Sequence, residues 1–155
     1  MPALMLRLPG LALLLVAAAA CPVRADLGPA RAEQNLEKRA RLALENAGRQ
    51  VKAAHKAFDA GNWEEALAAF EQTRESVDLA LESLKQTGKN PRRGGKSFKS
   101  AEIRMRELLR AIDSLRLKTS GEEQAAVEKL RLHVQRAHDE LLDAILGRIR
   151  WRAPQ

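Results

Sequence analysis

Apolar and polar positions alternate along most of this chain at a spacing of three and four residues. That spacing places the apolar side chains on one face of an α-helix. The first such pattern covers about residues 29–60, and Gly61 follows it as a helix stop. Its apolar positions are Leu36, Ala40, Ala43, Ala47, Val51, Ala54 and Phe58.

A second pattern begins at once and predicts a helix over about residues 62–86. Asn62 can cap its N-terminus, and Glu65 three residues later completes a capping box. Gly88 and Pro91 end the pattern. Its core positions are Trp63, Ala66, Phe70, Thr73, Val77, Ala80 and Leu84.

Two further amphipathic helices are predicted over about residues 98–118 and 121–149. Ser120 and Glu123 form a second capping box at the junction between them. The apolar positions of the third helix are Phe98, Ala101, Met105, Leu108, Ile112 and Leu115. Those of the fourth are Val127, Leu130, Val134, Ala137, Leu141 and Ile145.

The connections after the first and third helices are only one or two residues long. Helices joined by such short turns must be antiparallel neighbours. We therefore expect an all-α fold of two antiparallel helical hairpins, joined by a loop over residues 87–97. Four apolar faces that close on one another form a four-helix bundle, and an elongated pair of hairpins is the alternative.

The first residues follow a different pattern. Residues 8–20 are uncharged and largely apolar, but this run is shorter than the roughly 20 residues that span a bilayer. It is typical of a signal peptide, and Val23 and Ala25 supply the small residues before a cleavage site. We expect residues 1–25 to be removed. Residues 26–155 would then form a single exported domain, periplasmic or secreted.

The only cysteine offers another possibility for export. The segment Ala18-Ala19-Ala20-Cys21 resembles a bacterial lipobox, in which Cys21 would be lipidated and would anchor the protein. One cysteine also excludes a disulfide within the chain. Together with the lack of glycosylation sequons, these features favour a bacterial cell envelope.

Positive charge is concentrated between the second and third helices. The net charge of +7 falls to +5 after cleavage, because Arg7 and Arg24 are lost and no acid is. No acid lies between Glu82 and Glu102. The candidate anion-binding residues in this stretch are Lys85, Lys89, Arg92, Arg93, Lys96 and Lys99. Such a cluster can hold anionic lipid headgroups, at about 1 kcal/mol per charge. The alternative is a solvated loop that keeps the protein soluble.

A second basic cluster lies in the tail. It consists of Arg148, Arg150, Trp151 and Arg152. The sequence leaves open whether this cluster shares a face with the basic loop. The overall charge is too low for a dedicated nucleic-acid binder, so we expect no nucleic-acid partner.

The junction of the first two helices resembles a tetratricopeptide repeat over about residues 47–78. The residues that carry the resemblance are Ala54, Gly61, Asn62, Trp63, Glu65, Ala66, Leu67 and Phe70. The resemblance implies a groove that binds peptide segments, and it implies a TPR-like form for the elongated alternative. A tight interhelical turn accounts for the same residues without that function.

No residue pattern indicates catalysis or a metal. His133 and His138 are separated by about 140° around a helix, so they do not face one site. With His55 we expect them to be ordinary surface histidines. Asp139 and Asp143 share a helix face and could chelate a cation, but this spacing is typical of a solvated surface. We expect no cofactor, no metal and no enzymatic activity.

These observations predict an exported, non-catalytic helical interaction or scaffold module of the cell envelope. Its partner would be an unidentified protein or a second copy of the chain. One alternative is an anion-binding protein that uses residues 85–99 on lipid or envelope polymer. The other is a periplasmic chaperone-like or stress protein. Its apolar face would comprise Ile103, Leu117, Leu132 and Leu142.

Overall fold

Five helices make up most of residues 26–151, the part of the chain that this computed structural model describes. They are α1 (Gly28–Ala32), α2 (Leu36–Asp59), α3 (Trp63–Gln86), α4 (Lys96–Arg116) and α5 (Gly121–Ile145). The described residues contain no strand, so the predicted all-α fold is confirmed. The predicted signal peptide, Cys21 and Arg152 lie outside the described range. No described helix combines the length and the apolar character needed to cross a membrane.

The long helices form two antiparallel hairpins, α2–α3 and α4–α5, which lie side by side. α2 packs against α4 and α3 packs against α5, which leaves α2–α5 and α3–α4 as the diagonal pairs. His133 Nε2 on α5 lies 2.7 Å from Asp78 Oδ1 on α3. Further along both helices in the same direction, Lys85 Nζ lies 2.6 Å from Glu140 Oε1. α3 and α5 are therefore parallel, and the predicted bundle of two hairpins is confirmed.

One continuous apolar core runs between the four long helices. It is built from the predicted apolar faces, since burying them removes apolar surface from water. Only the predicted positions at the helix ends are partly exposed, and these are Leu36, Phe58, Trp63 and Ile145. Phe98, Met105 and Leu141 are among the fully buried side chains.

The α2–α3 hairpin is held together by small side chains. Most of the apolar residues that α2 buries are alanines, whereas α4 and α5 bury larger ones. Small side chains allow two helix axes to approach closely, and α2 and α3 are the most closely packed pair of helices among the described residues. Asn46 and Ser76 are buried in this region. The amide of Asn46 donates to Ser76 Oγ at 2.9 Å, so these buried polar groups are satisfied.

The first predicted helix is interrupted, so the continuous helix over residues 29–60 was wrong. α1 ends at Ala32, and α2 begins three residues after Glu33. Asn35 has an extended backbone, and its side chain accepts a hydrogen bond from the Lys38 amide at 2.9 Å, as an N-cap does. The Arg39 side chain also donates to the Glu33 carbonyl at 2.8 Å. The break lets α1 bury Ala30 in the core.

The later boundaries differ from prediction by a few residues. α4 starts at Lys96 after Gly95, which shortens the predicted loop 87–97 to residues 87–95. α5 ends at Ile145 rather than near residue 149, because Gly147 adopts a positive φ of 74° that ends the helix. Ser120 precedes α5 without a side-chain cap hydrogen bond, so the second capping box was wrong.

Replacing Phe70 by alanine should lower the free energy of unfolding by roughly 3–5 kcal/mol, because truncating a core aromatic leaves a cavity. Phe70 is 4% exposed, whereas Leu67 on the same helix is 38% exposed. Leu67→Ala is therefore the control, with an expected cost of about 0.5 kcal/mol or less. Urea denaturation followed by circular dichroism measures both. Equal costs for the two variants would contradict the assigned core face of α3.

Candidate functional site

The two hairpin turns lie at one end of the bundle. The loop 87–95, the start of α2 and the end of α5 therefore lie at the other end. We call this second end, comprising loop 87–95, the first turns of α4 and residues 146–151, the basic end. It contains or adjoins all six cations predicted from the sequence. Its chemistry depends on which of those cations are already paired.

Two of the six predicted cations are neutralised by acids on neighbouring helices. Lys85 Nζ lies 2.6 Å from Glu140 Oε1. Lys89 Nζ lies 2.8 Å from Glu37 Oε1. The hydrogen bond from Lys89 is the largest cause that lowers the pKa of the Glu37 carboxyl below its ordinary value. Both lysines therefore connect elements of the fold, and their charge is not free for a ligand.

The other four cations are available. Arg92, Arg93, Lys96 and Lys99 are exposed. None of them forms an ion pair with any residue in the range 26–151. These four residues concentrate positive charge within two turns of helix and loop. Of the six residues that the sequence predicted to bind an anion, these four are the ones whose charge is free to do so.

Local contacts define the shape of the basic loop. The Asn90 side chain accepts a hydrogen bond from the Arg92 amide at 3.0 Å. Gly94 lies against the ring of Phe98, so closely that a Cβ at Gly94 would be 2.5 Å from the ring. The loop has no regular secondary structure, but Gly94 packs it against the first turn of α4. The backbone that carries these cations is therefore held beside α4.

The basic residues that follow α5 lie at the same end of the bundle as the basic loop. The sequence had left open whether these two clusters share a face. The ring of Trp151 packs on Phe98 with 6.0 Å between centroids. Lys85 Nζ lies 5.8 Å from the Trp151 ring, in a cation–π contact. Arg148 pairs with Asp143 at 3.1 Å. Arg150 is exposed and has no ion-pair partner in the described part of the chain. The basic loop and the basic tail thus form one surface.

Apolar side chains are exposed beside these cations. Leu146 is 51% exposed and Ile149 is 38% exposed, in the segment that follows α5. Trp151 at the end of this segment is half-buried. Cations mixed with exposed aliphatic groups and an indole are typical of surfaces that lie at a membrane interface.

The opposite end of the bundle carries acids. The first turn of α3 contains Glu64 and Glu65, and the first turn of α5 contains Glu122 and Glu123. Acids are stabilising there because a helix N-terminus carries partial positive charge. The unpaired cations of the basic end and the acids of these two helix N-termini therefore lie at opposite ends of the bundle, although Lys56, Arg116 and Lys118 also lie near the acids.

The tetratricopeptide-like residues form the turn between α2 and α3. Gly61 has a φ of 74°, and Asn62 Oδ1 accepts a hydrogen bond from the Glu65 amide at 3.2 Å, so the predicted N-cap is confirmed. The predicted capping box is not completed, because the Asn62 backbone amide donates to the Ala57 carbonyl at 2.8 Å and Glu65 accepts only from the Asn62 side chain. Trp63 lies edge-on to Phe58 and to Phe70, with centroids 6.2 and 5.7 Å apart. Ala66 is fully buried below them. These residues are engaged in building the turn.

Two histidines are partly exposed. The ring of His55 bonds to the Ala111 carbonyl at 2.8 Å, and that of His133 to Asp78 at 2.7 Å. His138, expected on the surface, is 8% exposed, so that expectation was wrong. It faces α4 rather than another histidine.

The burial of His138 is explained by a carboxylate on α4. His138 Nε2 lies 3.0 Å from Glu102 Oε1, and Arg106 donates to both oxygens of Glu102 at 2.8 and 2.6 Å. The bond from Arg106 is the largest cause that lowers the pKa of the Glu102 carboxyl, and the bond from His138 adds to it. No pattern within one helix could have predicted this contact, because it joins residues on different helices.

The other polar candidates do not converge. Asp139 accepts a hydrogen bond from Gln135 and Asp143 from Arg148, so each has its own partner. Within residues 26–151 no group of histidine, cysteine and acidic side chains could hold a metal ion. The four residues proposed for a chaperone-like face are also dispersed. Leu142 lies near the basic end, whereas Leu117 follows α4 at the opposite end.

No protein-family model and no curated protein matches this chain.

Replacing Glu102 by glutamine should lower the free energy of unfolding by about 1.5–3 kcal/mol at neutral pH, because it weakens charge-assisted hydrogen bonds. The folded-state pKa of Glu102 is lowered from 4.5, so this contribution is present above that pH and is lost as the pH falls through the folded pKa. Urea denaturation as a function of pH measures both effects.

Glu107→Gln on the exposed side of α4 is the matched control for that experiment. It removes the same charge and should leave stability within about 0.5 kcal/mol of wild type. Equal stability of the two variants at neutral pH, or a Glu102→Gln deficit that persists in acid, would contradict the account of this contact.

Proposed function

We propose that this protein is an exported, non-catalytic helical module of a bacterial cell envelope, and that it binds an anionic membrane surface through its basic end. The observation that carries the proposal is the convergence of loop and tail. Five exposed cations without an ion-pair partner among the described residues lie at one end of a polarised bundle, and they are Arg92, Arg93, Lys96, Lys99 and Arg150.

The magnitude of the attraction favours reversible binding. Each cation near an anionic membrane surface contributes about 1 kcal/mol, so five supply on the order of 5 kcal/mol. That corresponds to a dissociation constant of roughly 0.2 mM. The exposed Leu146 and Ile149 add apolar contact with the interface.

The polarity of the bundle supports one orientation on the membrane. An anionic surface attracts the basic end and repels the acids in the first turns of α3 and α5. The predicted export signal supports the location, because a domain released by cleavage after Ala25 would enter the compartment that envelope membranes border, and lipidation at Cys21 would anchor it to one of them.

A protein partner at the opposite end is the second candidate. Leu117 there is 81% exposed, and Leu67 on α3 is also exposed. Once the basic end meets a membrane, these leucines face away from it. A scaffold role, with a second protein or a second copy bound at that end, is compatible with membrane binding.

The triple variant Arg92→Glu, Arg93→Glu, Lys96→Glu should lose binding to vesicles that contain phosphatidylglycerol. All three side chains are exposed, so helicity and melting temperature should hardly change. Wild-type binding should weaken from low salt to about 0.15 M, where exposed charges are screened over about 8 Å. Co-sedimentation of the exported protein with vesicles measures the bound fraction, with phosphatidylcholine vesicles as the uncharged reference.

The matched control reverses three exposed cations away from the basic end, Lys52→Glu, Lys56→Glu and Arg110→Glu. It changes the net charge by the same amount and should retain binding. Equal binding by wild type and the basic-end variant would overturn the proposal. Equal losses in the two variants would mean that net charge, and not this surface, drives the association.

A further inference from the structure

A groove lies beside the basic end, between the first turns of α4, the last turns of α5 and the loop. Its volume is about 430 Å³. The apolar part of its wall is formed by Pro91, Phe98, Leu142 and Ile145. Phe98 is fully buried behind this wall and fixes it through the packing of the bundle, so the accessible apolar surface of the groove belongs to Pro91, Leu142 and Ile145.

Cations surround the apolar wall. Arg92, Lys96 and Lys99 line the groove. All three are exposed and lack an ion-pair partner among residues 26–151. The wall and the cations together create two environments within one groove, an apolar one and a positively charged one.

One acid, Glu102, also lines the groove, but its charge is already compensated. Arg106 donates to both of its oxygens at 2.8 and 2.6 Å. His138 Nε2 approaches one of the same oxygens at 3.0 Å. Glu102 therefore offers no free carboxylate to a cationic ligand, and the uncompensated charge of the groove is positive.

We propose that this groove binds a single-chain amphiphile with an anionic head, its alkyl chain against Leu142 and Ile145 and its head among Arg92, Lys96 and Lys99. Small-molecule sites are largely apolar, carry a few placed polar groups and measure roughly 300–1,000 Å³. A groove of about 430 Å³ lies in the lower part of that range, which favours one chain rather than two. The inference rests on the proposed function, since it names a lipid class that the basic end would engage.

The test uses dodecanoate as the probe, below its critical micelle concentration, with dodecanol as the uncharged reference. Trp151 packs on Phe98 in the groove wall, so its fluorescence reports occupancy. The only other tryptophan, Trp63, is replaced by phenylalanine to isolate this signal. Dodecanoate should bind saturably with one molecule per chain, and dodecanol on the order of tenfold more weakly because it lacks the charge.

Two variants locate the binding, each with a matched control on an exposed position of α5. Leu142→Gln makes the wall polar and should weaken dodecanoate binding by about fivefold or more, whereas Leu132→Gln should not. Lys99→Gln removes an exposed cation without touching the core and should also weaken binding, whereas Lys129→Gln should not. A circular dichroism melt identifies any variant that fails to fold, and Lys99→Gln then carries the test.

The outcomes separate this inference from the proposed function. The groove is not the binding site if dodecanoate fails to bind saturably, or if neither Leu142→Gln nor Lys99→Gln weakens its binding. Vesicle binding can remain in either case. Dodecanol that binds as tightly as dodecanoate also overturns this inference, because the cations would then play no part. Loss of charge-dependent vesicle binding overturns the proposed function, and saturable binding of dodecanoate would survive that result.

Discussion

Two short turns are the constraint on which the rest of this structure depends. The chain reverses between Asp59 and Trp63, and again between Arg116 and Gly121, so each hairpin is antiparallel. The hairpins then pack with α3 parallel to α5, which places both turns at one end of the bundle. The loop between the hairpins and the end of α5 must therefore both lie at the opposite end. The convergence of the loop and tail charges follows from this topology.

The electrostatics of the helices also favour acids at the turn end and cations at the basic end. α3 and α5 start at the turn end, where their first turns carry acids, and they finish at the basic end. The C-terminus of a helix carries partial negative charge, so Lys85 in the last turn of α3 is favourably placed. Lys85 also contacts Trp151 and thereby connects the tail to α3. The charge distribution that stabilises the helices is thus the one that gives the molecule its polarity.

The sequence predicted what local periodicity determines. The apolar faces of all four long helices are buried as expected, and Asn62 caps α3, because both features depend on neighbours within one or two turns. It failed where distant residues decide the outcome. The contact of His138 with Glu102 joins two helices. The break before α2, by contrast, has a local signal that the apolar spacing masked, because the Asn35 side chain caps α2 at the Lys38 amide. The basic loop and the basic tail lie together because of how the two hairpins pack. That packing depends on the whole chain, so no single stretch of the sequence could predict it.

The orientation of the bundle on a membrane is the most direct measurement of the central claim. Trp63 opens α3 and Trp151 lies beside Lys85 near the end of that helix, about 33 Å further along. Each tryptophan is studied alone, with the other replaced by phenylalanine, on phosphatidylglycerol vesicles whose acyl chains carry bromine. If the basic end binds the membrane, the bromine atoms should quench the fluorescence of Trp151 and leave that of Trp63 unchanged. Equal quenching of both, or quenching of Trp63 alone, would contradict it.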